Sequence, residues 1–81
     1  MGVWLSLMAG ATNKPFRMVI RRVGDGLFLK SADEWTQHLR SAQEFARRAD
    51  AVVFATKRRL WGVEIIMIDD TLAYELVLAR L

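Results

Sequence analysis

The sequence predicts a small α+β domain, and three observations carry that prediction. Two runs rich in Val, Ile, Phe and Met, at residues 16–23 and 63–69, have strand character. Gly24-Asp25-Gly26 follows the first run as a hairpin signal. Between Ser31 and Arg59, apolar residues recur at helical spacing. The expected architecture is a small antiparallel or mixed sheet of three strands in the order β-β-α-β. One bent helix or two short helices should cover one face, and a C-terminal helix or strand should complete the fold.

The chain opens with an apolar stretch, Met1–Ala11, that carries Trp4, Leu5 and Leu7. It is too short to span a bilayer. It also lacks a basic leading region, which argues against a secretory signal despite Ala9-Gly10-Ala11. Residues 1–13 are therefore expected to form an apolar leader or arm, and residues 14–81 a single domain.

Pro15 suits a strand entry. Beyond it, Phe16, Met18 and Ile20 alternate with Arg17 and Arg21, the pattern of a half-buried strand. Asp25-Gly26 supplies positive φ at little steric cost, and Leu27–Lys30 returns as the second strand. Ser31-x-x-Glu34 and Ser41-x-x-Glu44 both have capping-box spacing. Leu39, Ala42, Phe45 and Ala46 then recur helically, as do Ala49, Val52, Val53 and Thr56. Asp50 suits a cap after a break at Arg47–Arg48, so one bent helix and two short ones both fit. Trp35 is expected in the core between strand and helix. Lys57, Arg58 and Arg59 suit the negative end of the helix dipole, and Gly62 ends the helix. Val63–Asp69 is the strongest strand, apolar enough for burial on both faces. For residues 71–81, Leu, Ala and Glu favour a helix, while alternating Leu72, Tyr74, Leu76 and Leu78 would suit a strand. The helix is preferred. In the sheet, the first strand is expected at the centre with the other two beside it.

Composition narrows the class. A length of 81 residues fits one domain, and 53% apolar content is too high for disorder. The absence of cysteine excludes a disulfide framework, a thiolate nucleophile and a zinc–thiolate site, and it favours a cytoplasmic setting. The net charge is +3. It is distributed in blocks: +4 over residues 14–30, −2 over 31–46, +4 over 47–61 and −3 over 62–81.

Taken together, Val19-Ile20-Arg21, Gly26-Leu27-Phe28-Leu29, Trp35-Thr36, Leu39-x-x-Ala42-x-x-Phe45, the Ala-rich helix near Ala49–Ala55 and Val63-Glu64-Ile65-Ile66 make a pattern. Over about residues 16–68 it resembles small β-β-α-β proteins carried by bacteriophages and other mobile elements. Many of those are of unknown function, and anti-CRISPR proteins are one such group. The resemblance implies a protein that binds and blocks host machinery. It assigns no role to any single residue.

No catalytic constellation is expected. His38 is the lone histidine, and no nucleophile-elbow motif surrounds Ser6, Ser31 or Ser41. Asp69, Asp70 and Glu75 more plausibly end a strand than hold a divalent cation. Gly24-x-Gly26 lacks the helix and lysine of a phosphate loop. The expectation is a non-enzymatic protein with no metal or cofactor.

Two basic groups suggest binding. The preferred reading is a protein-binding module whose contacts are Arg47, Arg48, Arg58, Arg59 and Trp61, because interfaces favour arginines beside exposed aromatics. The alternative is a nucleic-acid-binding regulator using Arg17, Arg21 and Lys57. A host protein is the expected partner, nucleic acid the second choice, and no membrane is implied. A homodimer would also bury surplus apolar surface from the last strand and the Leu-rich tail.

Overall fold

A computed structural model describes residues 16–69 and 74–81. The predicted leader at 1–13 lies outside the described residues. Five antiparallel strands form one sheet: β1 (Phe16–Arg22), β2 (Phe28–Ser31), β3 (Glu34–Thr36), β4 (Val63–Asp69) and β5 (Tyr74–Arg80). Their spatial order is β3-β2-β1-β4-β5. A short 3₁₀ turn at Leu39–Ser41 and one α-helix, α1 (Arg48–Lys57), separate β3 from β4.

This corrects the expected three-stranded β-β-α-β fold with one bent or two short helices. One strand, β3, lay unread, and β5 was the less favoured of two readings for its segment. β3 occupies what the Ser31-x-x-Glu34 spacing marked as a helix start. The Ser31 hydroxyl does bond the Glu34 carboxylate, at 2.8 Å, but across the tight β2–β3 hairpin. The second such pair, Ser41 and Glu44, caps nothing either. Glu44 reaches Arg17 at 3.0 Å, and of residues 39–46 only Leu39–Ser41 coil, as 3₁₀. The preferred C-terminal helix is the strand β5, because its residues pair along the whole of β4 from Asp69↔Tyr74 to Glu64↔Arg80. Tertiary pairing overrides the helix propensity of Leu, Ala and Glu there. The first strand does lie between the second strand and Val63–Asp69, as the sequence reading places it.

β1 and β4 pair over their full lengths, and both faces of this central pair are covered. Val19 and Ile20 are neighbours with opposite side-chain directions, yet each is fully buried. On one face Ile20, Leu29, Val63 and Ile65 meet Ala51 and Ala55 of α1. Two alanines at i, i+4 let a helix lie close to the sheet. On the other face Val19 and Ile66 meet Ala42, with Leu39, Phe28 and Val77 around them.

One segment supplies both covers. β1 and β2 pair only at Arg21↔Phe28 and then part. The chain enters that notch: the Gln43 amide donates to the Leu29 carbonyl at 2.8 Å, and the Phe45 amide to the Met18 carbonyl at 2.9 Å. Residues 39–42 thus lie on one face, while Phe45 and α1 lie on the other. Phe45 and Phe54 lock this crossing edge-to-face, with ring centres 5.4 Å apart.

Candidate functional site

The corner at the C-terminal end of α1 is built by an unusual helix stop. The Leu60 amide donates to the Ala55 carbonyl at 2.9 Å, and the Arg59 amide to the Thr56 carbonyl at 3.1 Å. Those two bonds define a Schellman ending. Its left-handed position normally holds glycine, but here it holds Arg59, at φ 56°. Gly62, the expected stop, also has positive φ, at 68°, and serves the entry into β4 instead. Its amide donates to the Leu81 carbonyl at 3.0 Å. An arginine in this conformation costs roughly 1 kcal/mol relative to glycine.

The side chains at the corner are open. Trp61 is 74% exposed, the most exposed of the large apolar residues among those described. Lys57, Arg58 and Arg59 are exposed, and among the described residues none has a carboxylate in ion-pair range. The Arg58 guanidinium sits 5.2 Å over the Phe54 ring, which orients it without neutralising it. Val53, half exposed, lies further along α1. Arg58, Arg59 and Trp61 therefore share this corner. Arg47 and Arg48 do not join them, because they stand at the other end of α1, ~15 Å away at 1.5 Å per residue. Arg47 also faces Asp50 at 3.5 Å.

Arg17 and Arg21 lie on the sheet face opposite α1, so Lys57 is not beside them. Arg17 pairs with Glu44. Arg21 lies between two acids: its guanidinium reaches Glu75 through two nitrogens, at 2.6 and 3.0 Å, and Glu64 at 2.7 Å. The bonds to Glu75 and Glu64 raise the Arg21 pKa against the pull of burial. The same bond from Arg21 lowers the Glu75 carboxyl. Glu64 is 8% exposed, and Arg80 approaches its second oxygen at 3.6 Å. Arg22, on the α1 face, clamps Asp25 at 2.6 Å and lies 4.3 Å over the Trp35 ring. The Arg22 bond, helped by the Leu27 amide, lowers the Asp25 carboxyl. Trp35, expected in the core between strand and helix, is the central residue of β3 and packs half-buried against the α1-side core.

Sequence reasoning missed Phe54 as the platform for Arg58, although their i, i+4 spacing was there to see. It also missed an open hollow of about 720 Å³ lined by Arg17, Gln37, His38, Leu39, Arg40 and Ser41. His38 and Ser41 share this hollow, but its lining includes no carboxylate to orient the imidazole. Among the described residues, no three His, Asp or Glu side chains gather to hold a metal ion. No helix among them is long and apolar enough to cross a membrane. Comparison with protein-family models, curated proteins and solved structures finds no match for this chain.

Proposed function

We propose that the chain is a non-enzymatic binding module that engages another protein through the α1–β4 corner, with Trp61 as anchor and Arg58 and Arg59 as flanking charges. The observation that carries the proposal is Arg59. A strained, non-glycine residue at a glycine position, beside a 74% exposed tryptophan, marks a place where side chains are retained at a cost in stability. Exposed Trp and Arg are also the residue types that dominate interface energies. The matching surface is an apolar pocket rimmed by carboxylates. Arg47 and Arg48, at the other end of α1, lie outside this contact. The biological form of this proposal is a cytoplasmic inhibitor of a host protein, carried by a mobile element, as the sequence resemblance implies.

The nucleic-acid reading draws less support. Its strand residues, Arg17 and Arg21, already satisfy Glu44, Glu64 and Glu75. What is left for phosphates is the cation group at the end of α1. The two readings separate cleanly by experiment. A partner captured by the intact chain is purified and titrated with Trp61→Ala and with the triple variant R58A/R59A/W61A. Trp61→Ala should weaken binding by at least about 30-fold, the loss typical of an interface anchor, with the melting temperature unchanged. Unchanged affinity in the triple variant rejects the corner. Retardation of DNA or RNA that collapses steeply with salt would favour the alternative.

A further inference from the structure

The hollow of about 720 Å³ beside the 3₁₀ turn is of the size that small-molecule sites have. Its lining joins Arg17 of β1 to the loop Gln37–Ser41. That loop is tied down at both ends. The His38 amide donates to the Thr36 hydroxyl at 3.0 Å, and beyond the turn the Gln43 amide donates to the Leu29 carbonyl at 2.8 Å. Between these anchors the Ser41 and Ala42 amides bond the His38 and Leu39 carbonyls, each at 3.0 Å. Those carbonyls are thereby occupied, and the side chains set the chemistry of the hollow. They lean one way. Arg40, His38, Gln37 and Ser41 all carry hydrogen-bond donors, and none of the lining residues is a carboxylate. Arg40 has no carboxylate in ion-pair range among the described residues. Arg17 is bonded to Glu44 at 3.0 Å and is a fixed wall of the hollow, not its grip. Leu39, partly buried, is its apolar patch.

We infer that this hollow is a binding site for a small organic phosphate, with Arg40 holding the phosphate and His38, Gln37 and Ser41 donating to its oxygens. Charge complementarity carries the inference. The lining supplies a cation and a surplus of donors, so the fitting ligand is an anion rich in acceptors. A guanidinium matches two phosphate oxygens at once, and such charge-assisted bonds are among the strong ones. A phosphate also offers more acceptor oxygens to the remaining donors than a carboxylate does. The volume leaves room for a carbon body of mononucleotide size, which Leu39 contacts. A phosphate within a nucleic-acid strand is a different occupant. It needs a track of open cations leading out of the hollow, and the nearby strand arginines, Arg17 and Arg21, are bonded to acids. The protein-binding corner uses Arg58, Arg59 and Trp61, none of which lines the hollow, so the two proposals fail independently.

The test titrates adenosine monophosphate into the isotope-labelled full chain and follows its amide resonances, with adenosine as the uncharged control. The amides of residues 37–41 should shift saturably, with a Kd in the millimolar range or below, while adenosine leaves them in place. Inorganic phosphate should move the same amides more weakly. Arg40→Ala should weaken binding of the monophosphate about tenfold, with the rest of the amide spectrum unchanged. The double variant R58A/R59A should bind it as the native chain does. No saturable shift, equal shifts with adenosine, or full affinity in Arg40→Ala would each overturn the proposal. So would a single-stranded oligonucleotide that binds more tightly at equal phosphate concentration and moves the Lys57–Arg59 amides together with Arg40, because the occupant would then be nucleic acid.

Discussion

Two basic groups that look alike in sequence have opposite fates. Arg17, Arg21 and Arg22 fall within six residues of β1, and Lys57, Arg58 and Arg59 are consecutive at the end of α1. Every arginine in the first group has an acid: Glu44, Glu64 with Glu75, and Asp25. The second group has none among the described residues. The difference lies in position. A central strand is flanked on both sides, and register brings Glu64 directly across from Arg21. At the end of α1 no described carboxylate comes into ion-pair range of Lys57, Arg58 or Arg59. Among the described residues, charge is paired where the sheet surrounds it and left without an acid where α1 ends.

That contrast is open to direct attack. The largest effect is expected at Arg21. Its removal leaves buried Glu64 with only the longer 3.6 Å contact to exposed Arg80, so Arg21→Ala should cost about 2–3 kcal/mol in urea unfolding. Lys57→Ala should stay within about 0.5 kcal/mol. Equal costs for the two would dissolve the distinction.

Acid should act next, and on the strand group alone. The folded Glu75 and Asp25 carboxyls are held low by Arg21 and Arg22, so their contribution is complete above the ordinary carboxylate pKa. It is lost as pH falls through their folded values. The melting temperature should therefore be level near neutrality and drop below about pH 4, less steeply in Glu75→Gln. An identical profile for Glu75→Gln would show that this network contributes nothing. The smallest effect is a gain. Arg59→Gly relieves the left-handed residue and should add about 0.5–1 kcal/mol, partly offset by a freer unfolded chain. If it destabilises, Arg59 is part of the fold and not a residue kept for binding.

Much of this was legible in the chain. β1, its turn at Asp25-Gly26 and β4 carry local signals strong enough to stand alone, and the corner residues Arg58, Arg59 and Trp61 fall within four residues of one another. The errors share one cause. Ser31, Glu34 and Trp35 satisfy a helix-cap pattern, and the same residue types satisfy a tight hairpin. Only the availability of β2 as a partner decides between them. Residues 74–80 likewise read as a helix until β4 offers a ladder. The acids that quench Arg21 lie 43 and 54 residues away along the chain, beyond the reach of any local pattern.

The notch between β1 and β2 has a consequence for time. A hairpin joined at one residue pair makes a poor seed, although its turn is short. The long ladder in the molecule joins residues 16–22 to 63–69, and the wedge at Gln43–Phe45 has a slot only once β1 is held. Assembly then waits on a distant encounter, whose entropic cost grows slowly with loop length but is met before any reward arrives. The chain is short, yet its slowest moment should be this search, and its nearest contacts are not its first durable ones.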